Sequence, residues 1–118
     1  TLSEIMDNDV PIIYEDSSII EAVLTMTEKK YGCSVIVNNQ GRVKGIITDG
    51  DLRRSIGSVN MNDKAISIMK KDPITATEDL LISSAVLLMN KNSITSLLIA
   101  KKNIPIGIVN LKKCLENE

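Results

Sequence analysis

The chain has 118 residues and a formal net charge of −1, and it is 43% hydrophobic with no Phe, no Trp and no His. A balanced charge and only two tyrosines exclude an electrostatic or base-stacking surface for nucleic acid. No apolar run is long enough to span a membrane, and the lack of histidine removes the commonest general base and metal ligand.

In chain order, Ser3-Glu4-Ile5-Met6 is an introductory segment, and Pro11-Ile12-Ile13-Tyr14 is a short apolar run that predicts a strand. Glu15-Asp16-Ser17-Ser18 turns into a helix, with Ser18 and Glu21 at the spacing of a capping box. Ile19, Ile20, Val23, Leu24 and Thr27 fall on one helical face and predict the buried side. The helix should stop near Lys29-Lys30, before Gly32, where cations suit the negative end of the dipole. Ser34–Val37 and Arg42–Thr48 predict a hairpin turned at Asn38-Asn39-Gln40-Gly41, and Asp49–Ser55 a short helix closed by Gly57.

After a polar connector over residues 58–64, Ile66-Ser67-Ile68-Met69 mirrors the introductory segment. Ile74-Thr75-Ala76 predicts a strand, Asp79 an N-cap, and Leu80–Lys91 a helix with Ala85, Leu88 and Met89 inward. Ser96–Ala100 and Ile104–Asn110 predict a second hairpin turned at Lys101-Lys102-Asn103, followed by a closing helix over Leu111–Leu115.

The order β-α-β-β-α therefore occurs twice. Met6 and Met69, Ala22 and Ala85, and Met26 and Met89 stand 63 positions apart. A deletion in the second copy then makes the offset 62, pairing Ser34 with Ser96, Gly45 with Gly107 and Ile46-Ile47 with Ile108-Val109. The expected fold is α+β, two β-α-β-β-α repeats packed about a pseudo-two-fold axis, with residues 1–57 and 65–118 as the copies. Copies of about 60 residues are small enough to need each other for stability. Cys33 and Cys114 have no metal or redox spacing and suit small buried hydrophobes in a reducing, cytoplasmic setting. A chain that begins at Thr1 is expected to be a fragment of a longer one.

The introductory Ile-Met, the Ala-Val-Leu-x-Met helix and Gly45-Ile46-Ile47-Thr48-x-x-Asp51-Leu52 together resemble the tandem CBS-domain pair, or Bateman module, over essentially the whole chain. That resemblance implies a regulatory domain binding adenosine nucleotides or related ligands in clefts. Thr48 and Asp51 would contact ribose and phosphate, and groups around Pro11, Ile12, Cys33 and Ser34 would approach the base. The longer string Gly45 to Arg54, with Met89-Asn90-Lys91-Asn92-Ser93-Ile94-Thr95-Ser96-Leu97, is similar to the C-terminal CBS pair of arabinose-5-phosphate isomerases. These enzymes make the precursor of Kdo, a sugar of lipopolysaccharide. Similar Thr-Asp-Gly-Asp strings occur in CBS pairs attached to sugar nucleotidyltransferases.

The copies disagree where Thr48-Asp49-Gly50-Asp51 becomes Asn110-Leu111-Lys112-Lys113. Thr48 ends a strand and Asp51 lies in the next helical turn, where a carboxylate can accept from a sugar diol. Arg53 and Arg54 suit a phosphate or a sugar-acid carboxylate. The same residues also suit a capped helix with a solvated face. The matching cleft of the second copy would hold Ile74, Thr95, Ser96, Asn110 and Lys113, and is expected to be weaker.

Expected partners are a regulatory nucleotide (AMP/ATP-type, or a CMP-sugar such as CMP-Kdo), an attached isomerase domain and a second copy in a homodimer. A ligand-independent dimerisation module is the alternative. No base, nucleophile or metal set is present, so catalysis is expected to lie outside this piece, and neither metal nor catalytic cofactor is expected.

Overall fold

A computed structural model describes residues 1–118. Seven strands and four helices follow in order: β1 (Ile12–Tyr14), α1 (Ile19–Lys29), β2 (Cys33–Val37), β3 (Val43–Thr48), α2 (Asp49–Ser55), β4 (Lys70–Lys71), β5 (Thr75–Ala76), α3 (Ile82–Lys91), β6 (Ser96–Lys101), β7 (Ile104–Asn110) and α4 (Leu111–Glu116). Short 3-10 turns at Leu2–Glu4 and Ala65–Ser67 form the two introductory segments. The α+β class expected from the pattern is the one observed.

The compact units do not coincide with the sequence repeats. One unit is Pro11–Pro73; the other joins Thr1–Val10 to Ile74–Glu118. Each copy's introductory segment thus packs in the unit built on the other copy's sheet. In the Pro11–Pro73 unit the sheet order is β1-β2-β3-β4, with β1 parallel to β2 and the other pairs antiparallel. The strand β4 follows Met69 and pairs Lys71 with Gly45 and Lys70 with Ile46. In the other unit, β5-β6-β7 form the sheet, and Asp7 bridges Ile108 where β4 would stand. A Cβ on Gly45 would come within 2.6 Å of Met69 Sδ, and one on Gly107 within 2.5 Å of Met6 Sδ. Glycine leaves room at both positions for the borrowed methionine, and at Gly45 also for the Lys70 carbonyl, 2.6 Å from such a Cβ.

Packing also fixes the repeat alignment. Ile12 pairs with Val35 and Thr75 with Leu98, so β2 and β6 stand at an offset of 63. Gly45 faces Ile36 and Gly107 faces Ile99, so β3 and β7 stand at 62. The deletion therefore lies in the hairpin turn. The first copy turns through Asn38–Arg42 with Gly41 at φ 78°, and the second through Lys102 and Asn103 at φ 50° and 63°. Two consecutive residues at positive φ are the geometry of a tight two-residue hairpin turn. This corrects the expected Ser34–Ser96 match: Ser34 corresponds to Leu97, and Ser96 to Cys33.

The core is aliphatic. Ile13, Ala22, Met26, Ile36, Ile47 and Ala65 form one cluster; Leu2, Ala76, Ala85, Val86, Met89, Leu97, Ile99, Val109 and Cys114 form the other. Burying each larger side chain contributes about 1.5–3 kcal/mol. The inward face of α1 differs from the one expected. Ile19, Ala22 and Met26 are buried, whereas Leu24 is 61% exposed, because Ala22 and Met26 let the helix sit close on the sheet. In α3, Ala85, Val86 and Met89 are buried and the helix begins at Ile82, two residues after the expected start. Asp79 does not cap it; its carboxylate accepts from the Thr77 hydroxyl in the preceding turn.

The connector over residues 58–64 is tied down. The first free amides of α1 donate outward, Ile19 N–H to the Asp63 carbonyl at 2.9 Å and Ile20 N–H to Met61 at 3.0 Å. Glu21 N–H donates to the Ser18 hydroxyl, so three orphan donors of the helix start are satisfied.

Candidate functional site

The Thr48 junction is built by strand geometry. β3 ends at Thr48 in extended conformation, and the chain turns directly into α2. The Asp51 N–H donates to the Thr48 hydroxyl at 3.3 Å. Asp51 Oδ2 accepts in return from the Thr48 N–H at 2.9 Å and from its hydroxyl at 3.0 Å. This reciprocal cap holds the carboxylate over the strand end, and Asp51 is only 6% exposed. Its Oδ1 faces two cations: Arg54 donates to it at 2.7 Å, and Lys70 Nζ lies 3.6 Å away. Burial pushes the carboxyl upward, but the Thr48 N–H, Arg54, the Thr48 hydroxyl and Lys70 outweigh it and hold the group below its ordinary 3.8.

The other expected residues lie at the same end of the sheet. Cys33 opens β2 beside Thr48, and Val35 N–H donates to the Pro11 carbonyl at 2.8 Å. Pro11 and Cys33 are buried and Ile12 is half-buried. Only the backbone of this wall is available for polar recognition. The Ser34 side chain is fully buried, and its hydroxyl donates to the Ala22 carbonyl of α1 at 2.8 Å. Burial, with Asp49 nearby, pushes the Cys33 thiol up to about 12, so it is no nucleophile at neutral pH. Arg53 is exposed, and Arg54 folds back so that a Cβ on Gly50 would meet its guanidinium at 3.1 Å.

The corresponding junction of the second copy keeps the scaffold without the carboxylate. Asn110 ends β7 opposite Ser96, and its Oδ1 accepts the Lys113 N–H at 2.7 Å. The Thr95 carbonyl accepts from Leu111 N–H at 2.8 Å, and the Lys113 side chain is exposed. Ile74, at 36% exposure, precedes β5.

Lys70 is the residue that sequence reasoning missed. It belongs to the second copy's introductory segment and reaches the first copy's carboxylate only because the segments are exchanged. A signal was present: at the repeat offsets Lys70 matches Asp7 and Asp51 matches Lys113, a double reversal of charge. Such a reversal marks positions that share an electrostatic environment.

Fold and junctions together define a duplicated α+β module with two unequal strand-to-helix junctions. The chain belongs to the CBS domain family, whose model matches residues 2–58 and 65–117. Over 118 residues it is 35% identical to arabinose 5-phosphate isomerase KdsD of Yersinia pestis, covering 97% of this chain and 36% of that protein. The chain spans about a third of the length of that isomerase. Among solved structures, the CBS domain pair of protein MJ0100 in complex with 5′-methylthioadenosine and S-adenosyl-L-methionine superposes with a TM-score of 0.87 at 22% identity, covering 98% of this chain and 93% of that one. The CBS domain protein PAE2072 from Pyrobaculum aerophilum complexed with AMP gives 0.84 at 18% identity, covering 95% and 88%. At these identities the structures speak for the fold.

Proposed function

We propose that this CBS pair is a regulatory module that binds a nucleotide or nucleotide-sugar at the Thr48–Asp51 junction and so controls an attached arabinose-5-phosphate isomerase domain. The observation that carries this reading is Asp51, a buried ionised carboxylate at the end of β3, present in one copy and replaced by Lys113 in the other. An acceptor-only group in that position suits a ribose diol, and the apolar wall of Pro11, Ile12 and Cys33 suits a base face. Likeness to the Yersinia pestis isomerase supports the parent activity, and with it a place in the cytoplasmic synthesis of Kdo for lipopolysaccharide. CMP-Kdo combines a ribose diol with phosphate and carboxylate, and as the downstream product it is a logical feedback ligand. Regulation follows if the ligand binds two arrangements of the parent unequally.

Calorimetric titration with AMP, ATP, CMP and CMP-Kdo tests the site. Binding that Asp51→Ala abolishes is the expected result. A wild-type chain that binds none of them, or an Asp51→Ala variant that binds as wild type, overturns the assignment.

A scaffold reading has one observation in its favour. Leu24 and Leu87 occupy matching positions of α1 and α3 and are 61% and 70% exposed. Aliphatic surface repeated in both copies suits a homodimer contact. Sedimentation with and without nucleotide separates the two: a ligand-indifferent dimer broken by Leu87→Glu favours the scaffold.

A further inference from the structure

Three hydrogen bonds fall on the Asp51 carboxylate, and Lys70 adds an ion pair without one. Oδ2 takes two hydrogens from Thr48, while Oδ1 faces Arg54 at 2.7 Å and Lys70 at 3.6 Å. A sugar diol approaching Asp51 therefore meets Oδ1, where it competes with Arg54 and Lys70. The displaced cation stays tethered a few ångströms away, where it attracts an anionic group. A neutral ligand supplies none; a ligand with a phosphate or carboxylate beside its diol supplies one.

The two cations are held differently. Arg54 sits on α2 itself and lies over Gly50. Lys70 comes from β4, whose backbone is fixed by its pairing with Gly45 and Ile46; its side chain is as exposed as that of Arg54, but at 3.6 Å it makes no hydrogen bond to Asp51 and is the looser of the two. The second copy reverses both members, with Asp7 at the position of Lys70 and Lys113 at that of Asp51, so the same exchange cannot take place there.

We infer that Lys70 is a specificity residue of the Thr48–Asp51 site: it leaves Asp51 when ligand binds and pairs with an anionic group next to the diol, selecting nucleoside phosphates over neutral nucleosides. The inference rests on the assignment of that junction as the ligand site. It also makes the second copy's introductory segment part of the first copy's site.

Titration of the full chain with AMP, adenosine, CMP and cytidine provides the test. Wild type is expected to prefer each monophosphate over its nucleoside by about tenfold or more. Lys70→Met should bring the ratio below about threefold, chiefly by weakening the monophosphate, and Lys70→Arg should restore it. Both variants keep the backbone pairing of β4, and an unchanged melting temperature shows that the fold is intact. Lys70→Met that retains the full preference, or wild type that binds adenosine as tightly as AMP, overturns the inference and leaves the Asp51 site standing. If wild type binds no nucleoside or nucleotide, or Asp51→Ala binds like wild type, the site assignment fails and the inference with it.

Discussion

Replacing Gly45 with alanine tests the exchange of introductory segments at the point where it touches backbone. The new Cβ would lie 2.6 Å from both the Lys70 carbonyl oxygen and Met69 Sδ, and 3.0 Å from Met69 Cγ. Ordinary contact starts at 3.4 Å, so the neighbours must retreat by roughly 0.8 Å. Met69 can rotate away, but the Lys70 carbonyl moves only if β4 loosens from Gly45 and Ile46. Overpacking of about 1–3 kcal/mol plus one weakened ladder bond of about 1 kcal/mol gives an expected loss of about 2–4 kcal/mol. For a chain of this size that is roughly 8–15 °C in Tm. Gly107→Ala is a built-in control, since the three atoms nearest its Cβ all belong to the Met6 side chain, at 2.5, 2.9 and 3.2 Å. It should cost about 1–2 kcal/mol. Urea denaturation of two double-mutant cycles reads the difference: Met6→Ala should relieve most of the Gly107→Ala cost, and Met69→Ala little of the Gly45→Ala cost. A Gly45→Ala chain within about 0.5 kcal/mol of wild type, or one fully rescued by Met69→Ala, refutes the reasoning.

Ser34→Ala should cost no more than about 1 kcal/mol and leave nucleotide binding unchanged, because the hydroxyl serves α1; a tenfold loss of affinity in titration would contradict this. Asp51 titrates below its ordinary 3.8 in the native state, so its ionised form stabilises the fold at all pH above about 4, and that contribution fades as pH falls through the depressed value. The stability difference between wild type and Asp51→Asn, followed by denaturation at a series of pH values, should therefore be largest near neutrality and shrink toward pH 2; a difference that grows on acidification would contradict it. With its thiol pushed up to about 12 by burial and Asp49, Cys33 should resist a disulfide reagent at pH 8 until denaturant is added, as should the buried Cys114. Rapid native-state labelling of either would show that the core opens.

The duplication was legible because packing constraints recur at a fixed spacing: methionine on glycine, alanine in the middle of the helix, glycine in the third strand. The cap at Thr48 was legible too, since a hydroxyl and a carboxylate three residues apart satisfy the same orphan amides wherever a strand turns into a helix. Local pattern was less informative about α1. Its larger aliphatics, Ile20 and Leu24, point outward, and the smaller Ala22 turns inward, because the space left by the sheet selects the side chain. The Ser34–Ser96 match failed for a similar reason. Identical letters attracted the alignment, whereas the strand register places Ser34 at the core position that Leu97 fills in the other copy.

That two β-α-β-β-α copies would form, and that the junctions ending in Thr48 and Asn110 would differ, could be read along the chain, because both follow from short-range periodicity and capping chemistry. Which introductory segment completes which sheet was settled in the folded chain. That choice depends on long-range strand pairing, which leaves no local mark in the chain. It brings Lys70 within 3.6 Å of Asp51, and so turns a capped helix start into a carboxylate held between two cations.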